Sequence, residues 1–97
     1  MTAYVIVDIE VENEEVFKEY AAKADAILKE VPGFRNLTID VQPKVLEGNW
    51  KPSTVVVHEF PDYEAAQKFY YSEAYAPLIQ LRQSATKASV ILVNGRE

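Results

Sequence analysis

The stretch STVVVHEFPDYEAAQKFYYSEAYAPLIQLRQ, residues 53–83, decides the fold. Its first eight residues, STVVVHEF, are rich in β-branched side chains and predict a strand. Pro61-Asp62 ends that strand and opens a helix, with Asp62 as the expected N-cap. Ala65, Ala66, Phe69 and Tyr70 recur at helical spacing and form one apolar stripe. Ser72 reads as a second N-cap, so the helix is expected to break there and restart. Pro77 is tolerated in the first turn of the restart, which carries Leu78, Leu81, Arg82 and Ala85. ASVILVN, residues 88–94, follows as a strand, and Gly95 ends it.

The upstream half has the same alternation. AYVIVDIEV, residues 3–11, predicts a strand. Asn13 is the expected cap of a helix running to about Val31, with Glu14 and Glu15 at its positive dipole end. Phe17, Tyr20, Ala21, Ala24, Ile27, Leu28 and Val31 form its stripe, and Pro32-Gly33 stops it. FRNLTIDVQ, residues 34–42, predicts a strand with Leu37, Ile39 and Val41 on one face. Pro43 then marks an edge or a bulge. A short arm, KVLEGNWKP, residues 44–52, leads into the next strand. The order is βαββαβ in one domain, 1–97. That pattern predicts an α+β, ferredoxin-like fold, a four-stranded antiparallel sheet with two helices on one face.

Composition narrows the function. The 97 residues hold no Cys, which excludes disulfides, thiol catalysis and thiolate metal sites. A formal net charge of -5 argues against a nucleic-acid partner, which needs a basic face. No apolar run approaches the ~20 residues of a membrane span, and residues 1–15 do not resemble a signal peptide. A cytoplasmic protein without a membrane partner is expected.

Strand parity says what each sheet face carries. With Val5, Val7, Ile9 and Val11 toward the helices, Tyr4, Ile6, Asp8 and Glu10 face away. Alignment at the helix entries sends Val56, His58 and Phe60 toward the helices and Val55, Val57 and Glu59 away. The open face therefore holds Tyr4, Ile6, Val55, Val57 and two residues of the last strand, rimmed at one end by Asp8, Glu10 and Glu59. A monomer rarely leaves so large an apolar patch wet. Two sheets packed face to face in a homodimer would cover it. The alternative is a monomer whose patch lies under the 43–52 arm.

Several segments also resemble a known family. Leu46-Glu47-Gly48-Asn49-Trp50 with Pro52, then Glu59-Phe60-Pro61, then Phe69-Tyr70, Ser72, Tyr75 and Leu81-Arg82 are similar to the pattern of the family called domain of unknown function 1330. The resemblance implies a dimeric α/β barrel. It supplies no single reaction, because the wider superfamily spans cofactor-free monooxygenases, isomerases, haem-binding proteins and stress-response proteins. The PGFRNLTIDVQ segment departs from the Gly-rich strand with a basic residue that members often carry there.

The candidate catalytic residues are His58, Glu59 and Arg82. His58, the single His, points toward the helices and is either a base near neutral pH or a hydrogen-bonded core residue. Glu59 is expected beside Glu10, as paired carboxylates able to split their pKa values or as a solvated rim. Arg82 either clamps a carboxylate ligand or pairs with Glu59, Glu73 or a helix carboxyl end. Tyr20, Trp50 and Tyr70 are the candidate substrate-binding residues. The four tyrosines Tyr20, Tyr70, Tyr71 and Tyr75 all sit at helical positions, where one or two can line a cavity with hydroxyls inward. Trp50 either lids a pocket or packs on a partner subunit. One His and no Cys make a tight metal site improbable, and a haem would find only His58 as axial ligand, so no cofactor is expected. Two functions remain. One is a small-molecule-binding protein or cofactor-independent enzyme acting on an apolar or acidic organic compound. The other is a non-catalytic homodimer with a filled interior and no ligand pocket.

Overall fold

The computed structural model describes residues 1–96. Seven elements follow one another: β1 (Ala3–Val11), α1 (Glu14–Leu28), β2 (Arg35–Asp40), β3 (Thr54–Phe60), α2 (Tyr63–Tyr70), α3 (Ala76–Ala85) and β4 (Thr86–Asn94). They build one antiparallel sheet in the order β2-β3-β1-β4, with the helices on one face. This is the expected ferredoxin-like βαββαβ arrangement, its second helix split into α2 and α3. Both expected caps form. The Asn13 side chain accepts from the Val16 N–H at 3.1 Å, and the Asp62 side chain accepts from the Ala65 N–H at 2.7 Å. At the break, Ser72 Oγ accepts from the Tyr75 N–H at 3.2 Å and donates to the Phe69 carbonyl at 2.7 Å. Those two bonds satisfy backbone groups that the interruption would otherwise strand.

The core lies where α2 and α3 meet β1, β3 and β4. Phe60 and Ala66 are fully buried, with Val5, Phe69, Tyr75 and Leu78 around them. Phe60 and Phe69 stack at 5.8 Å between ring centroids, and Phe69 and Tyr75 at 4.4 Å. Val5 pairs across the sheet with His58, Val7 with Val56 and Ala3 with Phe60. Directly paired residues share a face, so the helix-facing set is the one expected from parity. The opposite set, Tyr4-Glu59, Ile6-Val57 and Asp8-Val55, continues on β4 as Val93, Ile91 and Ser89.

Four local expectations need correction. The Glu10–Glu59 pair does not exist. Glu59 lies opposite Tyr4, six residues up β1 from Glu10, because β1 and β3 run antiparallel and the sheet separates their acids to opposite ends. The acids thus do not rim a single end of the open face. Second, β2 does not alternate regularly. Asn36 pairs with His58 but Thr38 with Val57, and the irregularity between them leaves Leu37 without a cross-strand partner. Third, α1 ends at Leu28, and Glu30 and Val31 close turns onto Ile27 and Leu28 instead of continuing the helix. Fourth, β4 begins at Thr86, two residues early, because Thr86 Oγ1 caps the Arg82 carbonyl at 2.8 Å while its backbone already pairs with Val11.

Candidate functional site

α1 packs chiefly on α3 and stands away from the β3–β2 half of the sheet. A cavity of about 1170 Å³ opens between them. Its floor is the helix-facing side of the strands, including Val7, Ile39, Val56 and His58, and its roof includes Phe17 and Ala21 of α1. Tyr20, Tyr70, Tyr75 and Arg82 close the inner end toward the core. The volume explains an oddity of the α1 stripe. Ala24 and Leu28 are buried as the periodicity requires, whereas Ala21, on the same stripe, remains exposed because it faces space.

His58 projects from β3 into this cavity, half-buried, with its ring edge-on to Phe34 at 5.1 Å. Burial depresses its pKa below the ordinary imidazole value, so the ring is neutral at pH 7 and has a lone pair to offer. No hydrogen bond or ion pair holds the His58 side chain among the described residues. The satisfied-core alternative is thereby not the arrangement found.

Arg82 is 5% exposed. Its buried Nε has no hydrogen-bond partner, and its guanidinium forms no ion pair among the described residues. The pairings with Glu59 or Glu73 do not occur. Glu59 is engaged by Arg35 Nε at 2.7 Å, which holds its carboxyl below the usual carboxylate range.

The Tyr20 and Tyr75 hydroxyls meet at 2.6 Å. Burial, followed by the nearby Tyr75, pushes the Tyr20 phenol well above its ordinary value, so it remains protonated. Tyr70 packs against Tyr75 at 5.7 Å between centroids. Tyr75 thus joins the candidate site beside Tyr20 and Tyr70. Ser72 was the signal for it, because its Oγ accepts from the Tyr75 N–H and ties that residue to the end of α2.

Two candidates lie elsewhere. Glu59 sits on the bare face of the sheet, across the strand from the cavity. Trp50 is 58% exposed and donates from Nε1 to Asp8 at 2.9 Å; Asp8 also accepts from the Ser53 N–H at 2.9 Å. Asp8 therefore anchors the arm at the bare face, and Trp50 is not a cavity residue of its own chain. Among the described residues, no three His, Asp or Glu side chains converge as a metal site would require.

Fold and site together define a ferredoxin-like α+β domain with a deep cavity between its sheet and its first helix. The chain belongs to the family described as a domain of unknown function (DUF1330), whose model matches residues 2–96. No curated protein matches it. Among solved structures it is similar to a protein of unknown function from Rhodopseudomonas palustris, with TM-score 0.79 at 13% identity, covering 99% of this chain and 83% of that one. A dimeric ferredoxin-like protein of unknown function from Jannaschia sp. CCS1 gives TM-score 0.74 at 15% identity over 98% of this chain and 100% of that one. SnoaB from Streptomyces nogalater, a cofactor-independent oxygenase, gives TM-score 0.67 at 18% identity over 99% and 93%. At these identities the likeness establishes the fold.

Proposed function

We propose that this protein binds a small, largely apolar organic compound in the cavity beneath α1 and acts on it without a cofactor, with His58 as proton acceptor. The observation that carries this reading is the cavity itself, an apolar space onto which His58 projects with no hydrogen-bond partner among the described residues. Ligand pockets are commonly about 300–1,000 Å³, mostly apolar, with a few convergent polar groups. Evolution toward stability alone would fill such a space, because each missing methylene of packing costs about 1 kcal/mol. The oxygenase SnoaB supports the reading only in kind, as one protein of this fold that works without a cofactor. Glu59 is assigned to holding the β2 edge through Arg35.

The reading includes a homodimer in the cytoplasm. The molecule measures 33 × 32 × 16 Å, and the thin dimension has room for one sheet and one helix layer. Tyr4, Ile6, Val55, Val57, Ile91 and Val93 consequently lie on a face that no helix covers, and the arm, tied to its edge at Asp8, leaves Ile91 55% exposed there and its own Leu46 88% exposed. A face of that size can supply the ~800 Å² per partner of a standard interface. The dimeric Jannaschia protein shares the fold. Among the described residues, no helix is long and apolar enough to cross a membrane.

Titration of the labelled protein with aromatic acids and quinols, read by amide NMR shifts, tests the proposal. Saturable shifts are expected at Val56, His58, Tyr20 and Tyr70 and are weaker for quinols in His58→Ala. Compounds that move no cavity residue would leave the non-catalytic dimer as the better account.

A further inference from the structure

Arg82 is the feature that the small-molecule reading leaves unexplained. An arginine that is 5% exposed, with its Nε buried and unbonded and no carboxylate beside it, is costly, because a buried charge is normally paired and fully hydrogen-bonded. The carboxylates that line the cavity, Glu10, Glu14 and Asp25, are solvent-exposed at its rim and none reaches Arg82. A dimer through the bare face brings no partner group here, because α3 covers the other side of the sheet.

A second donor lies alongside. When two phenols share one hydrogen bond, one hydroxyl donates and the other accepts, and the acceptor keeps its own proton free to donate. The Tyr20–Tyr75 pair at 2.6 Å therefore offers one spare O–H at the same inner end of the cavity. A guanidinium fork and a spare hydroxyl, with no hydrogen bond between them among the described residues, suit an anionic oxygen group. Between that inner end and the rim the lining is largely apolar, with Val56 on the floor and Phe17 on the roof, while the rim itself carries Ile39 and Val41 beside the charged Glu10, Glu14, Lys18 and Asp25.

Resting on the cavity reading above, we infer that the ligand is an amphipathic acid. Its carboxylate, or an equivalent enolate or phenolate oxygen, is received by Arg82 with the Tyr20–Tyr75 pair, and its apolar body, about the size of a fused bicyclic ring, lies under α1. Arg82 is the residue that sets this preference for acids.

Calorimetric titration of the full chain with 2-naphthoate and with its neutral isostere 2-naphthamide tests the inference. The wild-type protein should bind the acid roughly tenfold or more tightly than the amide, as a charge-assisted bidentate contact predicts. Arg82→Gln should bind both with similar, weak affinity. Arg82→Lys should keep part of the preference, which a purely structural arginine would not produce. Equal affinity of the wild type for acid and amide would overturn the role of Arg82 while leaving the cavity reading standing, and so would a preference that survives in Arg82→Gln. Binding of neither compound would overturn both. The wild-type comparison needs no variant, so a misfolded Arg82→Gln does not spare the inference.

Discussion

The helix-bearing side of the sheet has two halves that the same kind of sequence builds to opposite ends. Under α2 and α3 the layer is solid: Phe60 is fully buried and its ring contacts continue through Phe69 to Tyr75. Under the Phe17 and Ala21 part of α1 the layer is hollow, although the facing residues Val56 and Ile39 are as apolar as those of the solid half, which Ala24 and Leu28 of the same helix join. Hydrophobic patterning therefore tells which residues face inward but not whether they touch. Contact depends on how closely the helix approaches, and α1 leans on α3 instead of settling on β3. The solid half supplies stability, and the hollow half holds the unpaired polar groups.

The most forceful way to break this contrast is to truncate one residue from each half. Phe60→Ala should cost about 3–5 kcal/mol, enough to unfold much of a marginally stable domain. Val56→Ala should cost about 1 kcal/mol or less, because it enlarges a space already open. Urea denaturation of the two variants measures both; a Val56 loss comparable to that of Phe60 would mean that the hollow half is packed in solution.

A substitution on the bare face asks whether the two sides of the sheet act independently. Val57→Asp places a charge at the centre of that apolar face and should abolish the homodimer proposed above, read by light scattering, with the cavity residues on the other side unaltered. Dimers persisting in Val57→Asp would locate the interface elsewhere.

The smallest effect concerns His58. Its folded-state pKa lies below the unfolded value, so the unfolded chain takes up a proton first as the solution is acidified. The stability it contributes is complete above about pH 6.5 and falls as pH drops from there toward the depressed folded-state pKa. His58→Leu should flatten that part of the melting-temperature profile between about pH 7.5 and 5.5 relative to the wild type. An unchanged slope would mean that the ring is as well solvated folded as unfolded.

Much of the fold was legible because its signals are local. Asn13 and Asp62 carry cap chemistry in their own side chains, and strand alternation carries the face of each residue; Ser72 marks the break but holds the turn before α3, whose N-cap position falls on Tyr75. What sequence missed depends on register and on distance. The β2 irregularity at Leu37 and the separation of Glu10 from Glu59 follow from how strands pair, which no single strand encodes. At the candidate site, parity placed His58 correctly toward the helices, and helical spacing placed Tyr20, Tyr70 and Arg82 on inward stripes. Trp50 was not legible in the same way, because an arm without periodicity has no face, and its partner Asp8 is 42 residues away. Neither was the burial of Arg82 without a counter-charge, a property of what is missing around it.

A crystal structure of the protein grown with 2-naphthoate tests the central claim most directly. The account predicts the bicyclic ring between α1 and β3, beside Val56 and His58, with its carboxylate at Arg82. A structure in which α1 lies flat on the sheet, Phe17 and Ala21 packed against Val56 and no space between them, would contradict it.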